Sequence, residues 1–377
     1  MTSAVSVQDM KNPSIVLYGA KNAKLEERPV PELSDPNNVI VRIAYVGVCG
    51  SDVHFYTHGG IGRSVDPSTG LTMGHEASGT ITSVGPSVTS FKIGDRVAIE
   101  PGTPCRRCAA CKSGTYNLCR HMLFAAAPGP PSTPGTPGTL SKFYEMAEDL
   151  CYVIPDAISL QEAVLVEPLA VAVHAVKLGD VRPGETVVVM GCGTIGLLVA
   201  AVARLFGALR IVMVDVREDK VKFAKGWMQG AEGFIADVGM SGEDVAEKML
   251  EEFGLKEEGV DTSGGKIDTV IEASGAASCV EAGICMLRPG GKYVQTGLGR
   301  EKIEFPIVAM SQKELVVRGC FRYGAGDYEL AVKYLEKGAV DVKALISSVS
   351  RFEDAVGAWE KTMRGEGVKN LIEGVRD

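Results

Sequence analysis

The sequence predicts a two-domain α/β protein, with a doubly wound parallel-sheet domain and a second, β-rich domain. Three observations predict it. At 377 residues the chain exceeds what one hydrophobic core usually covers. Up to about residue 150, short β-branched runs are cut by Gly, Pro and Asp with no long helical period between them. Further on, apolar strands alternate with helical segments, which is the pattern of parallel crossover units.

In the first part, NVIVRIAYVGV (38–48), ASGTITSVG (77–85) and GDRVAIEPG (94–102) read as strands. The tract APGPPSTPGTPGT (127–139) suits neither a helix nor a central strand and is expected as a surface loop. ISLQEAVLVEPLAVAVHAVKLG (158–179) has helical periodicity, with Gly179 placed to end it. TVVVMGCGTIGLLVAAVARLFGA (186–208) is an apolar strand, a glycine turn and a helix. RIVMVDV (210–216) is a strand apolar on both faces, as a buried parallel strand must be. EDKVKFAKGWMQGA, GFIADV, IDTVIEASG and KYVQTGL continue the alternation. A strand-like KELVVRGCFRYG and helical segments at 327–338 and 352–364 close the chain. The expected division is 168–305 for the α/β domain, and 1–167 with 306–377 for the other.

Composition excludes several classes. A net charge of −8 argues against a nucleic-acid binder, because phosphate contacts need clustered Lys and Arg. No apolar run approaches the ~18 residues of a membrane span. MTSAVSVQDMKNPS does not read as a signal peptide, so the ten cysteines suggest thiols and metal ligands in a cytoplasmic protein rather than a disulfide framework.

VVVMGCGTIG places Gly191, Gly193 and Gly196 between an apolar strand and an apolar helix, with Asp215 ending the next strand. Gly191 allows the tight turn, Gly193 admits a pyrophosphate, and Gly196 permits close helix–strand packing. The helix N-terminus stabilises the phosphates. This is the turn of a Rossmann dinucleotide-binding domain. Asp215 accepts from ribose hydroxyls and repels a 2′-phosphate, which favours NAD over NADP, although Arg217 is of the type that can accommodate that phosphate.

PCRRCAACKSGTYNLC carries Cys105, Cys108, Cys111 and Cys119, four thiolates that close a tetrahedral zinc shell. Arg106, Arg107 and Lys112 between them mark an exposed loop. A closed shell has no place for substrate, so the cluster is expected to be a structural staple. Mixed ligands that leave a position open lie elsewhere: Cys49, with Ser51, His54 and Tyr56 behind it, the pair His75 and Glu76, and Glu167 at the domain border. Each alone has an ordinary explanation: a small core residue, a structural hydrogen-bonder, an ion pair, a helix start. Jointly they point to a catalytic zinc. In a regular strand His75 and Glu76 would face opposite sides, so both bind one metal only if the backbone bends there. Otherwise Glu167 becomes the third protein ligand.

GVCGSDVH, GHEASGT, the four-cysteine spacing, EPLAVAVHA, GCGTIG and FRYGAGDY, in this order, resemble the zinc-dependent medium-chain dehydrogenases of the polyol (sorbitol and xylitol) branch over roughly 14–375. HGGIG with CFRYGAGDYELAV is most similar to the fungal xylitol dehydrogenases (D-xylulose reductases). The resemblance implies a GroES-like catalytic domain beside the Rossmann domain, and oxidation of xylitol, or of sorbitol or L-arabinitol, to a ketose with NAD. It implies a catalytic zinc on Cys49, His75 and Glu76 with Glu167 at the fourth position, directly or through water, and a proton path through Ser51 and His54. It places Tyr56, Ile61, Phe124, Arg322 and Tyr323 in the polyol pocket. Cofactor contacts fall on Ile195, Asp215, Lys220, Thr296, Leu298, Cys320, Phe321 and Arg322, and a homotetramer is expected. A zinc-free quinone reductase would lack the ligand set, a methyltransferase would leave it unexplained, and a non-catalytic NAD-binding thiol sensor would show no turnover.

Overall fold

Strand β1 (Asn38–Gly47) buries Val39, Val41 and Ile43 and is followed within three residues by α1 (Gly50–His58). The sequence does not announce this nine-residue helix, which buries only Asp52, Phe55 and Tyr56. β1 pairs antiparallel with β2 (Glu76–Val84), and β2 with β3 (Arg96–Ile99). β4 (Phe143–Ala147) pairs with β1, and β5 (Cys151–Val153) with β3. The computed structural model describes residues 10–130, 133–256 and 265–376. Pro131 and Ser132 of the proline-rich tract, and residues 1–9 of the N-terminal segment, thus lie outside the described residues.

The segment expected as one helix over 158–179 is two. A capping box between Ser159 and Glu162 closes a single turn at Leu160–Ala163, and α2 (Val166–Leu178) then starts afresh. Pro168 has no N–H to offer the carbonyl of Val164, so a continuous helix loses a bond there.

Strand and helix then alternate: β6 (Thr186–Met190), α3 (Thr194–Leu205), β7 (Arg210–Asp215), α4 (Glu218–Trp227), β8 (Glu232–Ile235), α5 (Gly242–Glu252), β9 (Ile267–Glu272), α6 (Ala277–Met286), β10 (Leu287–Gln295) and β11 (Val316–Gly319). All pairs are parallel, and the order β8-β7-β6-β9-β10-β11 reverses between β6 and β9. A ligand in such a sheet binds at that switch point, outside the strands' carboxyl ends.

The chain returns to the first unit through α7 (Asp327–Glu336), β12 (Ile346–Ser350), α8 (Ala355–Met363) and β13 (Lys369–Glu373). The first unit's sheet runs β5-β3-β2-β1-β13-β12, with β4 also on β1. The two compact units are 1–167 with 324–377, and 168–323. The expected boundary at 305/306 is therefore corrected to 323/324. β11 hydrogen-bonds in parallel to β10, Lys292 to Val316 through Gln295 to Gly319, which makes it the sixth strand of the α/β sheet. Among the described residues no helix is long and apolar enough to cross a membrane.

Candidate active site

Cys49 is the N-cap of α1, and its backbone N–H donates to Asp52 Oδ2 at 3.0 Å in a capping box. Asp52 is 1% exposed, and its other oxygen stands 3.7 Å from His75 Nδ1. That approach is an ion-pair distance, beyond hydrogen-bond range, and it places a buried negative charge on the Nδ1 side of the ring.

The backbone does bend before Glu76. Gly74 has φ 89, in the left-handed region, and His75 lies in the loop while Glu76 is the first residue of β2. The two side chains therefore escape the alternation of a strand. Cys49 Sγ, a His75 nitrogen and a Glu76 oxygen lie within 4.8 Å of one another. Glu167, in the first turn of α2, is buried but is not part of that cluster.

Glu76 pairs with Lys369 of β13, both essentially inaccessible, and Lys369 Nζ also donates to the Val48 carbonyl at 3.1 Å. Gly47 faces Glu76 across β1 and β2, and a Cβ there would overlap the Glu76 carboxylate. Burial disfavours a charged His75, yet Asp52, the Cys49 sulfur and Glu167 together raise its pKa to about 10. The pocket is short of positive charge. A divalent cation supplies that charge, and thiolate, imidazole and carboxylate are the donors zinc takes in sites that keep one position open. The residues present fit a catalytic zinc.

Other expected residues fall in different places. Phe124 lies beside His75, with ring centroids 5.7 Å apart. Ser51 is half-buried in the first turn of α1, and His54 is exposed one turn on. Tyr56 packs in the core against Trp359 at 5.5 Å, its hydroxyl donating to Glu360 at 3.4 Å. Ile61 is exposed on the short hairpin after α1. Arg322 and Tyr323 belong to the other unit, where Arg322 has φ 60 and its guanidinium stacks 4.5 Å over Phe321.

The four-cysteine loop is a second cluster. Its sulfurs are 3.5 Å (Cys108–Cys111), 3.8 Å (Cys108–Cys119) and 3.9 Å (Cys105–Cys111) apart. A tetrahedron with Zn–S bonds of about 2.3 Å has edges of about 3.8 Å, so four thiolates here fit zinc. Backbone N–H groups of Arg107 and Cys108 lower the Cys105 thiol to about 6. Tyr116 of this loop and Tyr152 of β5 both donate to Glu100, at 2.5 and 2.7 Å. Burial raises that carboxyl to about 7 against those two hydrogen bonds. The loop is thereby anchored to the sheet. Cys105→Ser is expected to lower stability by about 4 kcal/mol or more, a fall in Tm of roughly 8 °C or more by calorimetry, with kcat little changed. A large loss of kcat at unchanged Tm contradicts the staple.

In the α/β unit, Gly191 has φ 102 and Gly193 is the N-cap of α3, with open space where its Cβ would stand. A Cβ on Gly196 would overlap the Gly191 carbonyl oxygen, so only glycine lets α3 pack this closely on β6. Asp215 Oδ2 accepts from Cys192 N at 2.8 Å, which fixes the carboxylate beside the turn. Arg217 is turned to Asp219 by two hydrogen bonds of 3.0 and 2.6 Å. Thr296, following β10, has a buried hydroxyl with no hydrogen-bond partner among the described residues. An anion cradle, a ribose acceptor and an unsatisfied hydroxyl at the sheet's carboxyl edge fit a dinucleotide.

The alcohol dehydrogenase GroES-like domain family matches residues 35–156, and the zinc-binding dehydrogenase family residues 194–337. The chain is 49% identical over 376 residues to a probable D-xylulose reductase A of Aspergillus clavatus, covering 99% of this chain and 100% of that one. The chain belongs to the zinc-binding medium-chain dehydrogenases, in their polyol branch. D-xylulose reductase A of Aspergillus oryzae is 48% identical to this dehydrogenase over 367 residues, 97% of each chain. An Escherichia coli oxidoreductase of unknown specificity superposes with a TM-score of 0.86 at 30% identity, covering 97% of this chain and 100% of that one. L-idonate 5-dehydrogenase of the same organism does so at 0.84 and 26% identity, with 97% and 98% covered. The dehydrogenase is thus built of a GroES-like unit and a Rossmann unit, and it uses zinc and NAD.

Sequence reading passed over Asp52, Gly47 and Lys369. Asp52 had a local signal, since an acidic residue three positions after an N-cap closes a capping box. Lys369 had none, being 293 residues from its partner.

Proposed function

We propose that the enzyme oxidises xylitol to D-xylulose with NAD⁺, and reduces the ketose in reverse. The convergence of Cys49, His75 and Glu76 within 4.8 Å, apart from the four-sulfur loop, carries the reading of an open metal site. The substrate rests on near-full-length identity of 48–49% to proteins named D-xylulose reductase.

Cys49 Sγ, His75 and Glu76 would hold the catalytic zinc, with Glu167 at the fourth position, directly or through water. Bound zinc would make a secondary hydroxyl acidic near neutral pH, and bound NAD⁺ would accept the hydride from the carbon that bears it. The Asp52 carboxylate, 3.7 Å from His75 Nδ1, would favour a proton on that nitrogen and leave Nε2 to the metal. Ser51 Oγ receives the substrate's proton, and His54 Nε2, exposed one turn further along α1, delivers it to water. Phe124, beside His75, keeps solvent from the reacting carbon. On the cofactor side, Gly191, Gly193, Ile195 and Gly196 receive the pyrophosphate. Asp215 and Lys220 take the adenosine ribose, and Thr296, Leu298, Cys320, Phe321 and Arg322 take the nicotinamide half.

The test is kcat/KM for xylitol, sorbitol and L-arabinitol, each with NAD⁺ and NADP⁺. Xylitol with NAD⁺ is expected to lead; preference for another polyol, or for NADP⁺, rejects that part of the proposal.

We also read the enzyme as a cytoplasmic homotetramer. None of the ten cysteines is in a disulfide, which suits a reducing compartment and is checked by cell fractionation. β11 is an edge strand with Val316 and Val317 exposed by 43% and 38%, a surface that invites a second copy. Val317→Lys is expected to lower the mass seen by light scattering, and an unchanged mass removes β11 from the interface.

A further inference from the structure

α1 carries His54 and His58 four residues apart, both exposed. Residues at that spacing are neighbours on a helix face. Their ring centroids are 4.4 Å apart, with planes inclined by 33°. Hydrogen bonds favour one tautomer of each ring. His54 Nδ1 is 3.1 Å from the Gly60 carbonyl oxygen, which only accepts, so Nδ1 carries the proton. The His54 carbonyl, 3.3 Å from His58 Nδ1, only accepts and so favours a proton on that nitrogen; Thr57 Oγ1, 2.7 Å away and with the Val53 and His54 carbonyls at 2.8 and 3.2 Å for its own proton, is free to accept from the same N–H. Both neutral rings are left with a lone pair on Nε2. An imidazole whose Nδ1–H is held in this way is prepared as a metal donor. The pair also sits in the last turns of α1, where the helix's partial negative charge favours a cation.

We propose that His54 and His58 form an inhibitory site for a borderline divalent cation, Zn²⁺ above all, distinct from the two clusters described above. Water completes its coordination. With two protein donors it binds more weakly than the resident zinc sites and fills only when zinc is in excess. The effect on turnover rests on the relay role proposed for His54: a cation on Nε2 occupies the lone pair that must receive the proton.

The test uses holoenzyme with its resident zinc in place. In equilibrium dialysis against Zn²⁺, wild type takes up one further equivalent per chain. His58→Gln takes it up about 100-fold more weakly, having lost the advantage of two linked donors. Over the same zinc range wild-type kcat falls, while His58→Gln keeps a kcat equal to that of uninhibited wild type. Equal uptake by wild type and His58→Gln, or no uptake by either, overturns the site. Uptake that depends on His58 but leaves kcat untouched establishes the site and overturns its inhibitory effect, together with the relay assigned to His54.

Discussion

His75→Ala is expected to abolish turnover and to lower the zinc content from two equivalents per chain to one. The loss follows from the donor set, because among the described residues the cluster of Cys49, His75 and Glu76 has no further His, Cys or carboxylate within its 4.8 Å. Metal polarisation of a hydroxyl is worth several kcal/mol, so kcat should fall by about 10³-fold or more. The fold should survive. Asp52 keeps its bond from Cys49 N at 3.0 Å, and the four-sulfur loop is a separate cluster that retains its metal. Steady-state kinetics, metal analysis and calorimetry on the same sample decide the matter. Near-normal kcat with one zinc lost would mean that this site is not where the chemistry occurs.

Lys369→Met is expected to raise the affinity for the catalytic zinc while weakening the protein that lacks it. Lys369 is the buried counter-ion of Glu76. Removing one partner of a buried pair leaves an uncompensated charge, at a cost of about 3–5 kcal/mol. In the metal-loaded enzyme Glu76 has the zinc as counter-ion and the penalty is smaller. The two costs close a thermodynamic cycle, so their difference appears as tighter zinc binding. A difference of about 1.4–2.8 kcal/mol is a gain of about 10- to 100-fold. Chelator competition measures the affinity, and chemical denaturation with and without the catalytic metal measures the two stabilities. If Lys369 merely fastens β13 to the sheet, both forms lose equal stability and zinc affinity does not move.

The glycine turn was legible because each of its constraints is local. Gly191, Gly193, Gly196 and Asp215 act within one strand–helix–strand unit, and the structure shows the overlaps that forbid any other residue at Gly196. The four-cysteine loop was legible for the same reason, its ligands lying within fifteen positions. Helix α1 was not, since it is short, buries only three side chains and takes its stability from packing against α8 and the hairpin after it. The domain boundary was misplaced because β11 reads equally well as a strand of either unit. Only its hydrogen bonds to β10 choose between them.

From the amino acids alone follow the chemistry available, the two metal-type donor sets, and the preference for a dinucleotide without a 2′-phosphate, because short spacings and residue types determine these. Tertiary structure decided that Glu76 rather than Glu167 joins Cys49 and His75, through the turn at Gly74. It also brought Lys369 beneath Glu76 and Asp52 beside His75. The physical reason is that a buried charge takes its partner from whatever the fold places within a few ångströms, and no local pattern records a contact between residues so far apart in the chain.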